Sequence, residues 1–127
     1  MKILILDDEA MLVELTSNLI RQMKHIPVEA VTAEEAIAKY QAERPDFCIL
    51  DIYLEGSAMD GLKVLEKIKK IDKDAVGIMM TRLTDEESID RARQLGAFNY
   101  VFKPLTSKEI KAMVNQTEKY LMERKNG

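Results

Sequence analysis

Short apolar runs alternate with longer segments of helical period, and this alternation leaves the chain few folds to choose from. The runs are ILIL at 3–6, VEAV at 28–31, FCIL at 47–50, AVGIMM at 75–80 and FNYVF at 98–102. Helical segments lie between and after them, at about 9–24, 33–43, 61–70, 85–95 and 106–123. A strand followed by a helix, five times over, predicts an α/β fold. The expected form is a single (βα)5 unit, a doubly wound parallel sheet with helices on both faces, because parallel neighbours need a crossover between them. The runs at 3–6, 47–50 and 76–80 are continuously apolar, as strands buried on both faces are. VEAV contains Glu29 and reads as an edge strand.

The helical segments carry their own signals. Leu12, Leu15, Leu19, Ile20 and Met23 predict one apolar face for the first helix, and Ile110, Val114, Thr117 and Leu121 one for the last. Thr32-x-x-Glu35, Thr84-x-x-Glu87 and Thr106-x-x-Glu109 read as capping boxes, in which hydroxyl and carboxylate satisfy free backbone N–H groups. Gly96 after Leu95 reads as a helix stop.

The 127 residues, 46% hydrophobic, suffice for one domain with a real core. A net charge of −3 without a Lys/Arg cluster argues against direct nucleic-acid binding. Cys48, the only cysteine, excludes an internal disulfide and suits a reducing compartment. MKILILDDE is not a signal peptide, no run approaches the length of a membrane span, and a cytoplasmic location is the expected default. His25, in a connection with no second His or Cys nearby in sequence, predicts a solvent-exposed side chain rather than a zinc ligand.

The chemistry lies where the runs end. ILIL runs into Asp7 and Asp8, FCIL into Asp51, GIMM into Thr81, and YVF into Lys103 and Pro104. In a parallel sheet these ends share one edge, and ligands of open α/β sheets bind there. Singly, an Asp after a strand is usually a turn former or a helix cap. Together, three carboxylates, a hydroxyl and an ammonium are complementary. The carboxylates would repel one another unless a divalent cation joined them, and Mg2+ takes hard oxygen ligands beside phosphate. Mg2+ and Lys103 would make Asp51 tolerable at the end of a buried strand.

These pieces resemble the receiver domain of two-component response regulators along essentially the whole chain, 1–127. The matching motifs are ILILDDE at 3–9, FCILDIYL at 47–54, MDGLKVL at 59–65, GIMMTRLTDEES at 77–88 and YVFKPL at 100–105. The resemblance implies strand order 2-1-3-4-5, the flavodoxin-like and chemotaxis-regulator-like arrangement. It implies that Asp51 is a phosphoacceptor served by a histidine kinase, a phosphotransfer protein or a small phosphodonor. It implies Mg2+ held by Asp7, Asp8, Asp51 and the backbone carbonyl of Tyr53. Thr81 is similar to the family's switch hydroxyl, Lys103 to the lysine that pairs with the phosphoryl group, and Tyr100 to its switch aromatic. A cis Lys103–Pro104 bond is implied as well. Signalling would pass to the face formed by 85–123, toward an unnamed output partner or a second copy. No output domain is expected in this chain, and a receiver alone or a piece of a longer regulator both stay open.

Two places depart from the family's pattern. Asp51 and Asp60 are nine apart, where seven is usual, and Glu55-Gly56-Ser57-Ala58 replaces a proline turn beside the metal. Tyr53 and Leu83, two beyond the acceptor and two beyond the switch threonine, are bulky and are expected to hinder hydrolysis. Three other functions compete. A phosphatase with an aspartyl-phosphate intermediate needs an acid where Tyr53 stands. A pseudo-receiver, which binds partners without phosphorylation, is disfavoured by the intact set Asp8, Asp51, Thr81 and Lys103. A nucleotide or flavin site would have to place phosphate against Asp7-Asp8-Glu9.

Overall fold

A computed structural model describes residues 1–82 and 84–126. Leu83 therefore lies outside the described residues. Among them strands and helices alternate as β1 (Lys2–Leu6), α1 (Ala10–Gln22), β2 (Ile26–Ala30), α2 (Ala33–Glu43), β3 (Phe47–Leu50), α3 (Gly61–Ile71), β4 (Gly77–Thr81), α4 (Glu86–Gln94), β5 (Asn99–Phe102) and α5 (Ser107–Asn126). All strand pairs are parallel and the order is β2-β1-β3-β4-β5. This is the flavodoxin-like arrangement that the resemblance implied. β1, β3 and β4, the three apolar runs, are the buried central strands, and Glu29 sits on the edge strand β2.

Alternation along each strand divides the core in two. Ile3, Ile5, Phe47, Ile49, Ile78 and Met80 face α1 and α5, where they meet Val13, Ile20, Ile110, Val114 and Leu121. Leu4, Leu6, Cys48, Leu50 and Met79 face the other way, toward Ala36, Tyr40, Leu62, Leu65 and Ile68. Cys48 is fully buried there, and burial pushes its thiol pKa up, so it is a core residue.

Local signals hold in two helices and fail in two. Thr106 and Glu109 form a reciprocal box: each backbone N–H donates to the other's side chain at 3.1 Å. Thr32 accepts from the Glu35 N–H at 3.1 Å, while Glu35 reaches one residue further back, to the Val31 N–H at 2.7 Å. The box expected at Thr84 is displaced by one residue. Asp85 is the N-cap of α4 and accepts from the Ser88 N–H at 2.9 Å, because a carboxylate caps a helix dipole better than a hydroxyl.

The predicted face of α1 is corrected in part: Ile20 is buried and Leu19 and Met23 pack against the core as expected, but the face is centred differently. Val13, Thr16, Ser17 and Ile20 are buried, and Leu15 is 54% exposed. Small polar residues let α1 approach the sheet margin, where the Ser17 hydroxyl donates to Glu29 Oε2 at 2.9 Å. His25 is not exposed either. Its side chain is 7% accessible, with Nδ1 2.8 Å from the Met1 amino nitrogen and Nε2 3.4 Å from Glu118 Oε2 on α5. Gly96 ends its helix at φ +79°, as expected.

Candidate functional site

The same alternation that divides the core assembles the site. Asp7 continues the parity of Ile3 and Ile5, Asp51 that of Phe47 and Ile49, and Lys103 that of Val101. All three therefore sit on the α1/α5 side of the sheet's C-terminal edge. The ladder runs on past the strand ends and fixes their backbones. Asp7 N–H donates to Ala30 O at 3.2 Å, Asp51 N–H to Leu6 O at 2.9 Å and Lys103 N–H to Thr81 O at 2.8 Å. The Lys103–Pro104 bond is cis. Lys103 Nζ donates to Asp7 Oδ2 and, at 3.1 Å, to Asp51 Oδ2. These three side chains are less than a tenth exposed.

Asp7 and Asp8 are held in different ways. Asp7 Oδ1 accepts from the Glu9 N–H at 2.9 Å. Asp8 Oδ2 accepts from the Glu55 N–H at 3.0 Å, so the longer loop after β3 is what orients the second acid. That loop turns at Gly56, φ +81°, and Ser57 Oγ accepts from the Ala33 N–H at the start of α2 at 3.2 Å. The two extra residues are thus built into the site wall.

The electrostatics follow from crowding. Burial pushes the Asp51 carboxyl up from its usual 3.8 to about 6; Asp7 and Asp8 push the same way, and Lys103 opposes them. Burial would lower the Lys103 ammonium, but its bonds and charge contacts with Asp7 and Asp51 outweigh that and raise it. Together the carboxylates of Asp7, Asp8 and Asp51 carry more negative charge than the single ammonium of Lys103 can balance. One oxygen from each of the three lies within 4.8 Å of the others. Such a hard oxygen cluster, half open to solvent through Asp8, fits a divalent cation that keeps several waters, as Mg2+ does.

Above the carboxylates is an open cavity of about 450 Å3 lined by Asp51, Tyr53, Glu55, Thr81 and Arg82, with Asp8 and Glu9. Thr81 is buried and Tyr53 is 65% exposed on the rim. A larger cleft of about 520 Å3 lies between α1 and α2, but four of its charges pair with one another, Arg21 with Glu29 and Lys39 with Glu35. The structure thus brings Asp7, Asp8, Asp51, Thr81, Lys103 and Tyr53 to one edge. Tyr100 stands apart from them. It is half-buried beside a cleft of about 150 Å3 between α4 and β5, its ring 5.4 Å from that of Phe102, and burial followed by Asp85 raises its phenol pKa.

Two features escaped the sequence. Gly61 opens α3, with its N–H donating to Ile52 O at 2.7 Å. A Cβ on Gly61 would lie 1.9 Å from the backbone oxygen of Asp51. A helix starting at 61 was expected; the cap, with Asp60 accepting from the Lys63 N–H at 2.8 Å, and the close approach were not. The other feature is an ion pair across the cavity mouth, Arg82 Nη1 to Glu9 Oε1 at 3.1 Å.

Comparison with known proteins agrees with the fold. Residues 3–115 match the response regulator receiver domain family. Sporulation initiation phosphotransferase F of Bacillus subtilis is 32% identical over 94% of this chain and 93% of its own length. Chemotaxis protein CheY of the same organism is 31% identical over 91% and 96%. A probable transcriptional regulator, ycf27 of Guillardia theta, is 36% identical over 89% of this chain. The chain spans 43% of that regulator, and about half the length of the similar regulators. Among solved structures, a CheY-like receiver domain protein of Methanospirillum hungatei superposes with a TM-score of 0.88 at 28% identity, covering 99% of this chain and 98% of that one. The chain belongs to the receiver domain family of two-component response regulators.

Proposed function

We propose that this chain is a phosphorylation-dependent signalling switch in which Asp51 is the phosphoacceptor. The observation that carries this is the triple convergence at Asp51: a carboxylate ladder-fixed at the end of β3, an ammonium 3.1 Å away, and two further acids placed for a metal. An Asp carboxylate is a competent nucleophile toward phosphorus, and phosphoryl transfer needs little beyond alignment and cations around the non-bridging oxygens. Asp7, Asp8 and Asp51, with the Tyr53 carbonyl, would hold Mg2+, which supplies charge neutralisation at the transferring group. Lys103 supplies the second positive charge. Thr81 offers a hydroxyl at the cavity wall to a phosphoryl oxygen.

The donor is a histidine kinase, a phosphotransfer protein or a small phosphodonor. The new charge draws Thr81, and Tyr100 follows into the cleft between α4 and β5. The signal then reaches the 85–123 face, which presents the half-exposed Phe102 and Tyr120 to an output partner or a second copy. The whole of 1–127 acts as one receiver unit, in the cytoplasm. No helix among the described residues is long and apolar enough to cross a membrane.

Acetyl phosphate and Mg2+ test this reading. The protein is expected to gain one phosphoryl group per chain by intact mass, and none in a chelator. Steady hydrolysis of a phosphate ester would instead identify a phosphatase, and no gain at all an interaction module independent of phosphorylation. A second expectation concerns lifetime. Tyr53 stands on the rim where in-line water must enter. Tyr53→Asn combined with Leu83→Glu should shorten the phosphorylated lifetime at least severalfold, measured by loss of the phosphoryl mass with time. An unchanged lifetime would remove the hindrance role.

A further inference from the structure

We infer that Arg82 admits anionic phosphodonors to the Asp51 cavity by exchanging its bond with Glu9 for one with the donor's phosphate, an inference that rests on the reading of Asp51 as acceptor. Beyond Asp8, which the proposed metal would neutralise, Glu9 and Glu55 give the cavity mouth two further carboxylates. A dianionic donor is repelled by such a rim, and its encounter rate falls accordingly. Lys103 does not offset this, because its ammonium is buried below and held by Asp7 and Asp51. Among the described residues lining the cavity, Arg82 is the single cation.

The placement of Arg82 suits exchange. It follows Thr81 directly, at the end of β4, and its guanidinium crosses the mouth to Glu9 at the start of α1. Both side chains are about half exposed or more, 62% and 48%, so water screens the pair and little holds it closed. A phosphate competes well for the same guanidinium, since its oxygens match the planar fork of donors in two parallel bonds. Arg82 leaving Glu9 thus opens the mouth and orients the donor in one movement. An ordinary surface staple between two loops would show the same ion pair without the function.

Substitution of the two partners separates these readings, because the donor role predicts opposite signs. At saturating Mg2+ and low salt, Arg82→Ala should lower the second-order rate of phosphorylation by acetyl phosphate about tenfold. The loss should lie in KM, with the maximal rate kept. Glu9→Gln should raise the rate, since it frees Arg82 and removes one repelling charge. Arg82→Lys should recover part of the loss, and added salt should narrow every difference. Equal effects of the two substitutions, or no effect of Arg82→Ala, would overturn the inference. In an Asp51→Asn background no transfer occurs, and binding of intact acetyl phosphate with Mg2+ can be followed by amide chemical shifts. Binding that weakens about tenfold with Arg82→Ala supports the role of Arg82 even where the wild-type protein takes up no phosphoryl group, a result that would sink the acceptor reading alone. Binding indifferent to Arg82, in a protein that is phosphorylated normally, would sink the inference alone.

Discussion

Gly61→Ala is expected to destabilise the fold by about 2–3 kcal/mol, a fall in Tm of roughly 10 °C, and to abolish phosphorylation with it. The added methyl would sit 1.9 Å from Asp51 O, 2.7 Å from Asp51 C and 3.0 Å from Ile52 Cα. These are backbone atoms, so no side-chain rotation relieves the clash. Either α3 moves off the sheet or the end of β3 moves with the carboxylate it carries. Leu62, Val64, Leu65 and Ile68 anchor α3 in the core, so the first movement is costly. The second takes Asp51 away from Lys103 and from the two neighbouring acids. Thermal unfolding and phosphoryl uptake on the same preparation check both halves. A variant that melts and reacts like the wild type would show that the contact between α3 and β3 is looser than described. Gly77 offers a contrast: a Cβ there meets the Leu65 side chain at 2.6 Å, a flexible group that can turn aside.

Asp51→Asn is expected to raise stability in the absence of divalent metal while removing the acceptor. The Asp51 carboxyl moves from its ordinary 3.8 to about 6 in the fold, chiefly by burial. The folded state therefore binds this proton more tightly than the unfolded chain. Sign follows directly: Asp51 is least favourable to folding above about pH 6, its contribution improves as pH falls toward 3.8, and it is level below that. Asparagine keeps the shape, removes the charge and leaves Lys103 paired with Asp7. The expected gain near neutral pH is about 1–3 kcal/mol, with the slope between pH 6 and 3.8 lost. Urea unfolding of both proteins across that range measures it. Lys103→Met should act in the opposite direction, because it strands two buried carboxylates, at a cost of about 3 kcal/mol that Mg2+ should partly offset. A metal-free Asp51→Asn protein less stable than the wild type would mean that Asp51 is held by more than burial and Lys103.

Much of the fold was legible because strand burial leaves a direct trace. A strand covered on both faces has to be apolar at every position, and ILIL, FCIL and GIMM are. The acids and the hydroxyl then stood out as the first polar residues after those runs, and the ammonium as the first after YVF. What failed was decided by neighbours. Counting leucines put Leu15 on the buried face of α1 and missed Val13, Thr16 and Ser17, while Leu19, Ile20 and Met23 do pack on the core; small polar residues serve there because Ser17 bonds Glu29 of the edge strand. Thr84 and Asp85 are adjacent caps of similar promise, and only the helix start distinguishes them. His25 is enclosed by the strand start and by α5, more than ninety residues away along the chain. Arg82 and Glu9 are 73 residues apart, and no local pattern pairs them. Gly61 looked like the start of a helix and is also the point where a helix nearly touches the proposed acceptor's backbone.

The location of the phosphoryl group is the most direct test of the account. After exposure to acetyl phosphate and Mg2+, peptide-resolved mass spectrometry should find a single modification, on Asp51, absent when metal is chelated and absent from Asp51→Asn. A phosphoryl group on any other residue, or uptake that survives Asp51→Asn, would contradict it.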